Sequence, residues 1–284
     1  MIRVWKLRVI NICLLFAGLY LFVGCVPEMK IGSEYLNRRQ NITLVLMAPE
    51  WVKMVNLNPD SIIVDSNLSQ REKDSIKYYN SKILQYVNDS TLISNYIRNL
   101  KVTLEKQGYK TLIANINDTV FPVKGNAFLI KIGQIELDEN VMPIRDETQY
   151  QGKLYAADYD LTKIELDFWL DIYKIENGVA VLPSHLLYDS FEKTDDFNGH
   201  FYWNNAENQM NYSEDIDEIT PKFVNDFASS IGIDHAIRLN TFLLNEYVAY
   251  YLPEKTDRIL LGVNEDYGTL MKIDEPPFQE IEDK

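Results

Sequence analysis

Ile164-Glu165-Leu166-Asp167-Phe168-Trp169-Leu170-Asp171-Ile172-Tyr173 is the stretch that decides the fold. Apolar and polar or aromatic residues alternate strictly, so one set faces a core and the other faces solvent or a partner. Glu176-Asn177-Gly178 follows, and a second β-rich run extends from Val179 to Phe191. Asn-Gly between two such runs is the strongest short-range hairpin signal. Pro183 lacks a backbone N–H and demotes part of the return strand to an edge or a bulge. Phe168 belongs in the core. Trp169 and Tyr173, set among Glu165, Asp167 and Asp171, form an aromatic pair with a polar rim, the composition of a partner-binding anchor.

Working outward, Asn41–Met47 is β-rich and is ended by Pro49, giving a first strand. Helices are expected over 69–88 and 90–107, the second capped by Asp89 or Ser90 and closed by Gly108. Leu92, Tyr96, Leu100 and Leu104 give it one apolar stripe. Strands follow over 109–116 and 127–137. Toward the C-terminus, Thr220-Pro221 opens a helix that runs to about Ser230. After Gly232, Asp234 caps another with Ala236, Leu239, Phe242, Leu243 and Tyr247 on one face, stopped by Pro253. Ile259–Val263 is a last short strand, and the acidic 274–284 end is read as a mobile tail. This order predicts an α+β fold over 41–273: an antiparallel sheet with a long hairpin, covered by helices on one face.

The N-terminus carries a different message. Arg3, Lys6 and Arg8 precede an apolar run from Val9 to Val23, which ends Leu21-Phe22-Val23-Gly24-Cys25. Basic start, apolar centre and a small residue before the cut are the layout of an export signal. The run is about 15 residues, short of the roughly 20 that span a bilayer as a helix. The cysteine after Gly24 resembles the lipobox of bacterial lipoprotein precursors in its relaxed, Bacteroidota-like form, with Phe22 where leucine is usual. The resemblance implies removal of residues 1–24, acylation of Cys25 and attachment to a membrane. Val26, rather than an aspartate, follows the cysteine, which implies the outer membrane; the periplasmic face is expected rather than the cell surface. Residues 25–40 carry few apolar side chains and read as a tether. The predicted α+β layout also resembles, in topology alone, envelope lipoproteins such as penicillin-binding-protein activators and auxiliary lipoproteins of lipid transporters; such likeness does not carry function.

Loss of residues 1–24 removes three basic residues and no acidic ones, leaving 25 basic against 42 acidic residues and a formal charge of −17. A chain this acidic repels nucleic acid. Cys13 leaves with the signal and Cys25 is acylated, so no thiol pair remains for a disulfide and stability rests on burial.

Catalytic motifs are sparse. His185, His200 and His235 lack the short spacing of metal ligands, and no cysteine helps them, so no metal or cofactor is expected. Asp195-Asp196-Phe197-Asn198-Gly199-His200 lacks the alternating acidic ligands of a calcium loop and reads as a turn. Asp158, Asp160, Glu214 and Asp215 have no context that marks an acid–base pair, and no G-x-S-x-G, phosphate loop or H-E-x-x-H occurs. Phe201-Tyr202-Trp203 followed by Asn204-Asn205 is either a sugar-stacking platform or one end of the core. Ser61, Ser75, Ser90 and Thr119 each follow aspartate in the D-[ST]-[AILVMT] pattern of Bacteroidota O-glycosylation, a tripeptide equally apt for capping. The reading that results is a non-catalytic outer-membrane lipoprotein, an accessory or assembly factor for an envelope protein. A glycan-binding lipoprotein is the alternative, and a carboxylate-dependent hydrolase comes third.

Overall fold

The computed structural model describes residues 26–58, 67–264 and 267–281. Cys25 with the whole signal, and Ser61, lie outside them. The chain divides into two compact units. The larger is residues 39–240 with 277–284; the described residues of the smaller are 26–38, 241–264 and 267–276.

The larger unit is α+β. Its sheet contains β1 (Ile42–Met47), β2 (Lys53–Asn56), β3 (Lys110–Ala114), β4 (Asn126–Tyr150), β5 (Lys153–Glu176), β6 (Val179–Thr194) and β11 (Gln279–Glu280), in the order β11-β6-β5-β4-β1-β3 with β2 also on β4. The β4-β5-β6-β11 half is antiparallel, but β1 runs parallel to both β3 and β4, and β2 parallel to β4. The sheet is therefore mixed, not purely antiparallel. The reason lies in the β1–β3 connection: it carries helices α2 (Gln70–Tyr79) and α3 (Asp89–Lys106) and is long enough for the crossover that parallel strands need.

The Asn177-Gly178 turn closes the β5–β6 hairpin with positive φ at both residues, 53° and 79°. Gln151-Gly152 closes β4–β5 in the same way, with φ of 51° and 76°. A bulge at Gly133 changes which residues of β4 face the core: Ile130 and Ile132 before it, Ile135 and Leu137 after it, all buried. Phe168 is 0% exposed and stacks on Tyr96 of α3 with ring centroids 4.8 Å apart.

Helix α4 (Pro221–Tyr251) is continuous where two helices with a break at Gly232 were expected. Gly232 is a packing residue. A Cβ built there would lie 2.4 Å from the Tyr96 carbonyl oxygen and 3.1 Å from the Leu100 amide nitrogen, so only glycine lets α4 approach α3 this closely. His235 of α4 is fully buried on the same sheet face, edge-on to Phe168 at 4.9 Å. Its Nδ1 lies 2.8 Å from Tyr96 Oη, and its Nε2 faces Asp189, which also pairs with Arg238. Helix α2 is shorter than the 69–88 span read from the sequence. After it, Glu139 accepts the backbone N–H groups of Lys82, Ile83 and Leu84 at 2.7, 2.8 and 3.1 Å. That carboxylate holds the 82–84 chain in a turn that a helix would have to give up.

Over 277–281 the acidic end is packed down, with the Ile281 amide donating to the Leu186 carbonyl. Phe278 is buried, and Gln279–Glu280 pairs with Tyr188 and Leu187 on β6. One buried ring and a short strand fix what composition alone reads as a mobile tail.

The smaller unit contains α1 (Pro27–Arg38), the end of α4 from Thr241, and a hairpin of β9 (Leu260–Asn264) and β10 (Thr269–Ile273). The stretch read as a tether thus forms a helix with Glu28, Gly32 and Tyr35 buried. Gly32 lets Leu261, Leu270 and Leu244 close against α1, and Tyr35 packs on Tyr247 at 5.3 Å. Glu28, fully buried, is paired with Lys255.

Candidate functional site

Helices α3 and α4 cover the sheet face that bears Phe168. On the other face the register of β4, β5 and β6 places Gln134 and Tyr188 either side of Trp169, Glu136 and Ser190 either side of Asp167, and Asp138 and Glu192 either side of Glu165. Lys53 of β2 pairs with Glu136 at 2.7 Å. No described helix covers this part.

An aromatic pair sits in a rim of carboxylates there. Trp169 and Tyr188 are half-buried with ring centroids 5.2 Å apart. Tyr188 donates its hydroxyl to Asp167 at 2.6 Å, and Ser190 donates to Glu165 at 2.8 Å. Gln134 holds Glu136 at 2.9 Å, and Lys163 pairs with Glu192. Asp138 is the unusual member. One of its oxygens is buried with no hydrogen-bond partner among the described residues. Burial, then the charges of Glu136 and Asp167, push its pKa up to about 6 against the pull of Lys53. The Tyr188 hydroxyl is pushed up to about 12, by burial first and then by its bond to Asp167. The face can hold a proton and attract cations, while its rings offer area for a partner to cover.

The two aromatics read from the sequence as one exposed pair have different surroundings. Trp169 is in this patch. Tyr173 sits at the margin of a small second core of Val45, Met47, Phe121, Ala127, Leu129 and Ile175, and burial raises its hydroxyl pKa. Tyr188 and Asp138 were not singled out in the sequence. An unbroken Asn177-Gly178 hairpin would put Leu186 opposite Trp169; two irregularities flanking the Tyr173–Pro183 pair shift the register and bring Tyr188 there instead.

Strands β7 (Asp196–Asn204) and β8 (Gln209–Asp217) form a separate hairpin, so the 195–200 stretch read as a turn is mostly strand. Asp195 is buried and accepts the amides of Thr162 and Ile219, each at 2.7 Å. Phe201 and Trp203 face the distal β4–β5 ribbon, Trp203 against Tyr150 at 5.1 Å and Phe201 near Tyr155 at 6.5 Å. Tyr202 points the opposite way and is 44% exposed, beside His200. Strand alternation prevents the three consecutive rings from sharing one face. His185 pairs with Glu280 at 2.6 Å. Ser75 and Ser90 are exposed on α2 and in the first turn of α3, and Thr119 is exposed in the loop before β4.

No family model matches the chain, and no curated protein matches it. Among solved structures it is similar to a minor lipoprotein from Acinetobacter baumannii, at 10% identity over 68% of this chain and 90% of that chain with a TM-score of 0.24. It is also similar to a neuraminyllactose-binding hemagglutinin homolog from Helicobacter pylori, at 6% identity over 76% of this chain and 92% of that chain with a TM-score of 0.31. Likeness at this level assigns neither fold nor function. Among the described residues no helix is long and apolar enough to cross a membrane.

Proposed function

We propose that this is a lipid-anchored, non-catalytic accessory or assembly factor of the outer membrane, which presents the helix-free face of its larger sheet to an envelope protein bearing a basic patch. The observation that carries the reading is the half-buried Trp169–Tyr188 pair inside a rim of Glu136, Asp138, Glu165 and Asp167. Aromatic anchors ringed by polar groups are how interfaces concentrate binding energy, and complementary charge steers the encounter. Attachment rests on the Cys25 resemblance, and the outer membrane on Val26. The glycan-binding alternative keeps only Tyr202 of its three rings on the open side of the β7–β8 hairpin, so the sheet face takes precedence. The hydrolase reading has one observation in its favour, the raised pKa of Asp138 among other carboxylates.

The test is crosslinking in cells followed by mass spectrometry, with wild type against Trp169→Ala combined with Tyr188→Phe. One envelope protein recovered with wild type and lost with the variant, at an unchanged thermal midpoint, supports the reading. Equal recovery with both sinks it. Polysaccharide retention that Tyr202→Ala abolishes would select the glycan-binding alternative.

A further inference from the structure

We infer that the smaller unit lies directly on the bilayer through Tyr250 and Tyr251, which form an interfacial aromatic contact beside the acyl anchor. This rests on the reading of Cys25 as the lipidated residue.

Only Val26 separates Cys25 from the first residue of α1. A lipid on Cys25 therefore holds the start of α1 at the membrane surface with almost no slack. The partners of α1 show which part of the unit shares that end. Glu28 pairs with Lys255, beyond the C-terminus of α4, and accepts from the Ile259 amide at 3.4 Å. Tyr35, two turns further along α1, packs on Tyr247. The two helices thus run antiparallel, and the end of α4 points toward the anchor. Tyr251 comes level with about Ile31, some 8 Å of helical rise from Val26.

At that end the rings emerge in sequence. Tyr35 is 1% exposed, Tyr247 packs on Tyr251 with tilted rings 4.7 Å apart, and Tyr251 meets Tyr250 edge-on at 5.1 Å. Tyr251 is 50% exposed and Tyr250 is 78% exposed. A tyrosine supported from behind by packed rings, with its own ring in water, suits the headgroup level of a bilayer, where the ring sits in apolar surroundings and the hydroxyl stays wet. The adjoining 253–258 loop carries Glu254 and Asp257 against Lys255 and Arg258, so it is neutral in sum. The contact needs no anionic lipid.

The same unit supplies its own control. Tyr267 is also 78% exposed, but β9 starts beside Glu28, passes Leu261 against Gly32, and carries the chain away from the anchor end. From Ile259 to Asn264 that is about 17 Å of extended strand. Equal exposure at opposite ends separates membrane contact from simple accessibility.

The acylated protein offers a clean probe, because Cys13 leaves with the signal and the Cys25 thiol is occupied. Tyr250→Cys or Tyr267→Cys then provides the sole free thiol for a spin label. Each labelled protein, in vesicles of phosphatidylcholine alone, is tested for collision with oxygen, which concentrates in the bilayer, and with a nickel chelate, which stays in water. At position 250 oxygen should outrun the chelate, and at 267 the order should invert. A label at 250 as accessible to nickel as the one at 267, or immersion of both, overturns the inference. The mass of the N-terminal peptide keeps the two claims apart: no lipid there refutes the anchor itself, whereas lipid present with 250 in water refutes only the docking.

Discussion

Replacing Glu139 should open the turn that follows α2. Its carboxylate is buried and accepts the backbone N–H groups of Lys82, Ile83 and Leu84, the last two themselves buried. One oxygen serves Lys82, the other serves Ile83 and Leu84. Glu139→Ala strands all three donors. A buried donor left without a partner costs about 1–3 kcal/mol, and partial hydration of the Lys82 amide softens its share, so a loss of about 3–6 kcal/mol is expected. Glu139→Gln keeps one carbonyl oxygen for the Ile83 and Leu84 pair but turns an amide N–H toward that of Lys82, so about 1–3 kcal/mol should go. Urea unfolding measures both, and native-state hydrogen exchange locates the effect, which should concentrate over 80–88. Two outcomes refute the reasoning: a Gln variant as stable as wild type, or an Ala variant that loses less than about 1 kcal/mol.

Gly178→Val should destabilise the main hairpin. The residue has φ 79° and an added Cβ would lie 2.9 Å from the Phe121 carbonyl oxygen, so the unfolding midpoint should fall while Gly268→Ala, at an open position, has a smaller effect. Gly232→Ala should force α3 and α4 apart against backbone atoms and lower stability by about 1–3 kcal/mol in urea unfolding. His235 is held neutral, its pKa driven below 6.5 chiefly by burial, against the pull of Asp189. The unfolded chain then binds more protons than the folded one, so His235 should subtract stability progressively as pH falls through and below 6.5. The slope of stability against pH between about 5 and 6.5 should be shallower in His235→Gln, and an unchanged slope would show that His235 does not contribute.

How much of this was legible in the sequence follows from how local each signal is. The β5–β6 hairpin, the burial of Phe168 and the Asn177-Gly178 turn were readable because alternation and turn chemistry lie within a few residues of one another. The parallel placement of β1 was not, since it depends on partners across the β1–β3 crossover. The length of β4 was hidden for another reason. The strand read from the sequence ends at Leu137, yet β4 continues to Tyr150 because β5 pairs with it throughout and aromatics of β7 and β8 pack on one side. Gly232 looked like a stop because local propensity counts a glycine against a helix, while its worth lies in contact with Tyr96 and Leu100. At the candidate site, Trp169 was visible from its strand, but Tyr188 arrived opposite it through irregularities around Pro183 that no periodicity encodes.

The smaller unit is assembled from two stretches that lie 202 residues apart in the chain, since all of 39–240 intervenes. During synthesis the N-terminal stretch emerges first and must wait. The larger unit's continuous segment can collapse meanwhile, but Tyr35 and Gly32 lack their partners Tyr247, Leu261 and Leu270 until residues 241–276 have been made. The smaller unit is thus among the last to take shape. A chain interrupted before that point would display an unfinished α1, with Gly32 and Tyr35 uncovered.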